Sequence, residues 1–329
     1  MNVLITGGTG FIGSRLALRC LERGQNVRVL GQENTAAETE NKDLITSKGA
    51  EVVSASVTDQ KSVIAALEDI DVVYHLAAAQ HEANVSDQVF WDVNVSGTEN
   101  VLRGSVKAGV KHFIHGSTIG VYGSGAEGEL NELSELRPDN IYGKTKLEGE
   151  KVLLAFKEKL PVVIIRISET YGPGDRRLLK LFKAIQKNVF FMVGNGRNKH
   201  HLIYIDDLID GFFLCIESSR ANGEAFIFTG RDILTTTDMV RVIAEALGEE
   251  PPKFHAPFLP FLWTAIVMET VLRPLGIQPP LHRRRLDFFK KNLFFSQDKT
   301  RELLGFHPKY TFAEGARQTA EWYIEKGLL

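Results

Sequence analysis

Tyr142 and Lys146 stand four residues apart in a stretch that reads as a helix, so both side chains project from one face. A lysine cation beside a phenol lowers the cost of forming the tyrosinate, whose ordinary pKa is about 10. Such a tyrosine can exchange a proton with a substrate hydroxyl while hydride moves to or from a nicotinamide. Exposed Tyr–Lys pairs are common on helices, so the pair needs company. It has company in Ser117 and Thr118, which follow a strand ending at His115. Open α/β sheets bind ligands at the carboxyl ends of their strands, and a hydroxyl there can hold a reacting oxygen.

A second group lies at the start of the chain, in Thr6-Gly7-Gly8-Thr9-Gly10-Phe11-Ile12-Gly13. Gly8, Gly10 and Gly13 satisfy GxGxxG after a strand and before a helix, the context in which that motif binds a dinucleotide. Glycine is required because the turn is tight and the backbone must touch a pyrophosphate, which the N–H groups of the following helix then attract. The 2′-position of such a cofactor is read at the end of the second strand. Gly31-Gln32-Glu33 stand there. Gln32 or Glu33 can reach a ribose hydroxyl and nothing pairs a phosphate dianion, so between NAD and NADP the balance falls on NAD.

The elements that must position these residues follow from periodicity. Short apolar runs at 3–5, 27–30, 51–54, 72–76, 112–115 and 162–165 read as strands. Longer patterns at 11–23, 61–67, 90–108 and 141–159 read as the helices between them. Strands without polar alternation indicate a sheet covered on both faces, and strict alternation with helices indicates right-handed crossovers. The expected fold is therefore α/β, a Rossmann-type doubly wound parallel sheet with a smaller C-terminal substrate-binding lid. Residues 1–170 form the dinucleotide-binding domain, and 171–329 are mainly substrate-binding. Segments near 200–230 extend the first sheet. In the second half, 177–188, 207–218, 237–247, 258–272 and 313–326 read as helices, and 201–205 and 225–229 as strands. The polar stretch 31–41 reads as a mobile loop.

Composition limits what such a fold can do. The chain has 329 residues, 43% hydrophobic and 24% charged, which excludes a disordered or fibrous protein. Its 39 basic and 41 acidic residues leave a net charge of −2, so no general field attracts nucleic acid. Cys20 and Cys215 are the only cysteines and form no CxxC, which argues against a disulfide framework or a metal site. The N-terminal residues lack a basic region and a cleavage site, so a cytoplasmic chain is expected. The most apolar stretch, 256–268, is about 13 residues long against the roughly 20 needed to span a bilayer.

Taken together, these residues resemble the extended short-chain dehydrogenase/reductases, the NAD-dependent epimerase/dehydratase group, with a 3β-hydroxysteroid dehydrogenase-like branch as an option. The likeness runs over nearly the whole chain. It includes the glycine turn, His75-Leu76-Ala77-Ala78, Asn94-Val95-Ser96-Gly97-Thr98, Ser117-Thr118, Val121-Tyr122-Gly123 and Tyr142-Gly143-Lys144-Thr145-Lys146. It continues through Tyr171-Gly172-Pro173-Gly174-Asp175, Tyr204-Ile205-Asp206-Asp207 and the tail Leu303-Leu304-Gly305-Phe306-His307-Pro308. The resemblance implies catalysis by Thr118, Tyr142 and Lys146, with Asn94 supporting their helix. It implies cofactor contacts from Gly7, Gly10, Phe11, Ile12, Gly13, Gln32, Ser56, Val57, Leu76, Ala77 and Ala78, and again from Tyr142 and Lys146. It also implies a homodimer formed through the helices at 90–108 and 141–159. Three positions depart from the pattern. Ser56-Val57 stand where an acid often precedes the adenine contact, Ile167 replaces a proline after Arg166, and His200-His201 replace an arginine used by sugar-nucleotide members.

The expected activity is NAD(P)-dependent oxidation or reduction at a secondary alcohol or ketone, with epimerisation, dehydration and simple dehydrogenation all open. A nucleotide-sugar is the first substrate class, which the resemblance implies through Gly194-Asn195-Gly196 and the tail. A sterol or other lipophilic alcohol is the alternative, supported by the apolar segment beside the basic run His282-Arg283-Arg284-Arg285. A non-catalytic dinucleotide sensor is the third, disfavoured because Thr118, Tyr142 and Lys146 are all kept. Ser117, His81, His200, Arg284 and Arg285 are the candidate substrate contacts. His81 and the basic run also have plainer readings, an ordinary loop and a solvated charge run. His75, His112 and His115 are taken as packing residues. Peripheral membrane contact by 258–268 competes with burial as part of the lid, and burial is the expectation.

Overall fold

The computed structural model describes residues 1–80, 85–126, 128–272 and 286–329. Seven parallel strands form its central sheet: β1 (Asn2–Thr6), β2 (Asn26–Gly31), β3 (Glu51–Ser54), β4 (Val72–His75), β5 (His112–Thr118), β6 (Val162–Ile167) and β7 (Ala225–Phe228). Their spatial order is β7-β6-β5-β4-β1-β2-β3. The order reverses between β1 and β4, which opens a crevice at their carboxyl ends. Successive strand residues enter opposite layers. Val3, Ile5, Val163 and Ile165 pack with helices Phe11–Glu22 and Ile205–Glu217, whereas Leu4, Val162 and Ile164 pack with Val63, Val101, Leu102 and Leu153 on the other face. Both faces are covered over the central strands, which is why β1, β4 and β6 are largely apolar.

The helices differ from expectation in three places. Residues 31–41 are not a loop throughout. Helix Ala36–Ser47 begins there, with Thr35 and Glu38 closing a reciprocal capping box. The helix expected at 90–108 is longer and irregular. It starts at Asp87–Trp91, passes through a π-helical turn at Asp92–Gly97 and continues as Thr98–Ala108. The helix expected to reach 159 is regular over Ile141–Leu154.

The second half is built from helices Leu179–Gln186, Thr236–Leu247, Phe258–Leu272 and Phe312–Glu325 and from two-residue strand pairs. β7 joins the main sheet beside β6. Ile203–Tyr204 does not; it pairs with Thr170–Tyr171 in a separate ladder. Helix Phe258–Leu272 is not buried as expected. Leu259, Trp263, Val267 and Val271 are each more than half exposed, and of its residues only Ala265 and Glu269 are buried. Cys20 and Cys215 are buried free thiols.

Candidate active site

The glycine turn leaves β1 with Gly7 in the left-handed region at φ 69°. A Cβ on Gly7 would lie 2.7 Å from the Ala77 nitrogen, so the turn sits directly against the Leu76–Ala77 backbone after β4. A Cβ on Gly13 would collide with the Gly7 carbonyl, which lets helix Phe11–Glu22 pack tightly on the strand. Gly10 differs. Among the described residues a Cβ there would meet only the Gly7 oxygen, at 3.3 Å. The Gly7 carbonyl already accepts from the Gly10 nitrogen at 3.1 Å, which closes the turn. The first N–H groups of the helix, at Phe11, Ile12 and Gly13, have no carbonyl one turn back within it to bond. A backbone cradle at a helix N-terminus is the shape and polarity that a diphosphate requires.

Two contacts steady this cradle. Thr9 donates through Oγ1 to the Gln32 carbonyl at 2.8 Å, and Asn41 donates through Nδ2 to the Thr9 carbonyl at 2.8 Å. Asn41 belongs to the helix that had been read as loop, so its role was missed. Phe11 is half-buried, and its ring lies 3.0 Å from where a Cβ on Gly174 would be. Gln32 is exposed at the end of β2. Glu33 beside it accepts from Lys42 Nζ at 2.7 Å and Ser54 Oγ at 2.8 Å; Lys42 above all holds its carboxyl below the usual range. Ser56 shares a hydrogen bond with Thr58 at 2.8 Å, and Val57 is buried under Gly97. Ala78 is half-buried after β4.

At the carboxyl end of β5, the Thr118 and Tyr142 hydroxyls share a hydrogen bond. Thr118 Oγ1 also accepts from the Gly120 nitrogen at 3.0 Å, which fixes its rotamer. Burial pushes the Tyr142 phenol up to about 12, against the opposing pull of Arg177 and Thr118. One turn on, Lys146 is 1% exposed and its Nζ has no hydrogen-bond partner among the described residues. Burial lowers its pKa from 10.5 to about 8, with Glu150 opposing the shift. The lysine charge in turn bears on His75 and His115. Both are driven toward the neutral form, chiefly by burial and then by Lys146, His75 to about 3. His75 bonds Thr6 at 2.7 Å and Thr98 at 2.9 Å and stacks on His115, so the two pack as expected.

Asn94 joins the parts. Its Oδ1 accepts from the Ala79 nitrogen at 2.8 Å. Its Nδ2 donates to the Ala79 carbonyl at 3.1 Å and to Thr145 Oγ1 at 2.9 Å. It thereby ties the chain after β4 to the helix of Tyr142 and Lys146. It stands in the π-helical turn, where such insertions commonly re-aim functional groups. Gly149 allows the approach: a Cβ there would be 2.8 Å from the Asn94 carbonyl.

Two candidate substrate contacts point elsewhere. Ser117 donates to Glu150 Oε1 at 2.5 Å, and Glu150 is also held by Arg166 Nη2 at 2.9 Å. Its hydroxyl is committed to a buried ion pair because alternate β-strand residues face opposite sides. His200 is buried, bonded through Nε2 to Thr236 Oγ1 at 2.9 Å and Asn198 Nδ2 at 3.1 Å, with Glu169 3.6 Å from its other nitrogen. His81, Arg284 and Arg285 lie outside the described residues. Arg177 was missed. It is anchored on Asp175 at 3.0 Å and its charge favours the Tyr142 phenolate. Its only signal in the sequence was its place just after Tyr171-Gly172-Pro173-Gly174-Asp175.

The model of the NAD dependent epimerase/dehydratase family matches residues 3–228. A sterol-4-α-carboxylate 3-dehydrogenase (decarboxylating) of Schizosaccharomyces pombe is 28% identical, over 98% of this chain and 97% of that one. The N-acetyl-α-D-glucosaminyl-diphospho-undecaprenol 4-epimerase of Escherichia coli O157:H7 is also 28% identical, over 98% and 95%. Among solved structures, the dTDP-glucose 4,6-dehydratase DesIV of Streptomyces venezuelae, with NAD and TYD bound, superposes with a TM-score of 0.79. It is 26% identical over 99% of this chain and 97% of its own.

Proposed function

The chain belongs to the NAD-dependent epimerase/dehydratase family and is an enzyme of that type, and from that premise we propose that it exchanges hydride between NAD and a secondary alcohol or ketone, with Tyr142 carrying the proton. The observation that supports this most is Lys146, a buried cation on the helix face of Tyr142 whose Nζ lacks a partner among the described residues. Such a group is costly unless a ligand completes it, and perturbed groups of this kind gather at functional sites. When bound, the dinucleotide supplies the hydride acceptor and donor. Gly7, Gly10 and Gly13, with the helix start at Phe11 and Ile12, would hold its diphosphate. Gln32, Ser56 and Val57 would meet the adenosine end, and Leu76, Ala77, Ala78, Tyr142 and Lys146 the nicotinamide end. Glu33, kept ionised at the end of β2, repels a 2′-phosphate and supports NAD over NADP.

In the oxidising direction the Tyr142 oxygen takes the substrate's hydroxyl proton, and Thr118 holds the same substrate oxygen. Arg177 favours the phenolate through its charge, and the Lys146 cation one turn on would lower its cost further. Asn94 acts through the helix and the Ala79 loop without touching substrate.

For the substrate, a nucleotide-sugar is the first reading, supported by relatives that act on sugar diphosphates. Arg284 and Arg285 would then meet the diphosphate through bidentate forks. A lipophilic alcohol is the second reading, favoured by the exposed apolar side chains of helix Phe258–Leu272. Residues 1–170 would bind cofactor and most of 171–329 substrate, in a cytoplasmic homodimer joined by the helices at 87–108 and 141–154. Trp91 and Leu154, each 39% exposed, are apolar surface available for that contact.

The test is a thermal-shift panel of NAD, NADP, UDP- and dTDP-sugars and sterols, since a ligand bound to the folded state raises Tm by mass action. NAD stabilises the wild type. Gly10→Val folds, because a Cβ there meets only the Gly7 oxygen among the described residues, yet loses the NAD shift because the side chain fills the cradle. An unchanged NAD shift in this variant would remove the cofactor site. Tyr142→Phe keeps the NAD shift and loses about a hundredfold or more in turnover of whichever substrate class the panel identifies. Wild-type turnover in this variant would assign proton transfer to another group.

A further inference from the structure

The segment 172–177 leaves the strand Thr170–Tyr171 and leads into helix Leu179–Gln186. On the way it meets the walls of the crevice at separate points. At Gly174, with φ 102°, its backbone rests against the start of helix Phe11–Glu22, since a Cβ there would lie 3.0 Å from the Phe11 ring. Two residues on, Arg176 Nη2 donates to Glu40 Oε2 of helix Ala36–Ser47 at 2.5 Å. At Arg177 the guanidinium charge bears on the Tyr142 phenol. Phe11 carries one of the N–H groups that its helix leaves unbonded. Glu40 is followed by Asn41, whose side chain holds the Thr9 carbonyl of the glycine turn. The segment therefore reaches from the catalytic phenol to the lip of the cradle, across the path that a dinucleotide takes between them.

Its two sides are unequally held. On the side of the second half, Arg177 donates through Nε to Asp175 Oδ1 at 3.0 Å and through Nη2 to the Thr170 carbonyl. The Asp175 nitrogen donates to the Gly172 carbonyl at 3.0 Å, and the Tyr323 hydroxyl to the Asp175 carbonyl at 2.5 Å. Toward the glycine turn, the segment is tied by the packing of Gly174 on Phe11 and by the pair of Arg176 with Glu40. The side chains of that pair are 34% and 61% exposed, and an ion pair so open to water holds weakly. Glu40 also bears the wrong charge for a cradle that takes an anion. A carboxylate at its lip would repel a diphosphate, so its part there is to hold Arg176.

We propose, on the reading that the chain binds NAD, that Arg176 and Glu40 form a latch that closes 172–177 over the dinucleotide and sets the rate at which it leaves. The strong contacts around Asp175 keep the segment in shape, and the weak pair lets it open. Opening of such segments commonly governs release from an enzyme.

The experiment is stopped-flow release of NADH from the full chain, followed by its fluorescence while excess NAD blocks rebinding, so no substrate is needed. Arg176→Gln and Glu40→Gln each release NADH about threefold faster than wild type. Glu40→Arg, which sets two cations face to face, also releases faster. Both changes at Glu40 make the lip less repulsive to an anion, so charge acting on the diphosphate alone would slow release. The exchange Glu40→Arg/Arg176→Glu restores the pair and returns the rate to within about twofold of wild type. Circular dichroism and Tm confirm the fold of each variant, and should the exchange not fold, the sign of the Glu40→Gln effect decides. Release from Glu40→Gln no faster than from wild type overturns the proposal. Slower release there, with faster release from Arg176→Gln, overturns it by assigning Arg176 to the diphosphate itself. A wild type that binds neither NAD nor NADH removes the cofactor reading and the latch with it, whereas normal binding with unchanged release removes the latch alone.

Discussion

Lys146 shows how one residue can set function against stability. Its folded-state pKa, about 8, lies below its ordinary 10.5, so folding penalises the cation. The unfolded chain binds more protons between those values, and stability from this group rises as pH climbs from 8 to 10.5. Lys146→Met removes the penalty, worth up to about 3 kcal/mol. The variant is expected to melt higher than wild type at pH 7, with the gain fading toward pH 10.5, and to bind NAD more weakly. A lower Tm at pH 7 would mean that Nζ is solvated or partnered in the free protein. Ser117 and Thr118 give a contrasting pair. Ser117→Ala removes a bond to Glu150 and is expected to cost about 1 kcal/mol of stability while changing KM less than about twofold. Thr118→Val is expected to lower kcat about tenfold or more, because it deletes the hydroxyl bonded to Tyr142. Equal losses of kcat in the two variants would return Ser117 to the site.

The π-helical turn at Asp92–Gly97 is the element that sets the register of the catalytic groups. Through Asn94 it holds the Ala79 loop and Thr145, and so the relation between the cofactor-facing loop and the Tyr142 helix. Asn94→Ala is expected to lower kcat by about tenfold or more, since small misplacements of reacting groups cost that much, while KM stays within a factor of about two. A purely structural role would lower Tm and leave kcat per folded molecule unchanged. The helix Ala36–Ser47 acts in a similar way on the glycine turn. It escaped the sequence reading because only Ile45 among its residues is buried, so its apolar periodicity is faint. Its signal was the capping box, Thr35 with Glu38, which the polar composition of the stretch hid.

Across the whole molecule, the C-terminal segment holds the second half to the sheet. Asp207, at the start of helix Ile205–Glu217, accepts from the Lys309 nitrogen at 2.8 Å and the Tyr310 nitrogen at 3.2 Å. Phe306 packs edge-on against Phe228 of β7 at 4.7 Å. Tyr323, on the last helix, donates to the Asp175 carbonyl at 2.5 Å, and so buttresses the loop that carries Arg177. Asp207→Ala would leave two backbone N–H groups without an acceptor, at about 1–3 kcal/mol each. The expected result is a lower urea midpoint and early proteolytic release of helix Phe312–Glu325. Resistance of that helix to protease at the wild-type level would show that its docking does not depend on Asp207.

The glycine turn, the alternation of strand and helix, and the facing pair Tyr142 and Lys146 were all legible in the chain. Each is a local pattern, and backbone geometry converts such spacing directly into shape. Where a side chain points was not legible when its partner is distant in sequence. Ser117 turns to Glu150, 33 residues away, and His200 to Thr236, 36 residues away. That the Nζ of Lys146 lacks a partner among the described residues became visible only once the surrounding elements had closed over it. Helix Phe258–Leu272 is the clearest case. It is apolar on every side, so its periodicity names no inner face. Only its packing against Val193 and Leu286 selects the covered side, and the same packing leaves Leu259, Trp263, Val267 and Val271 facing outward.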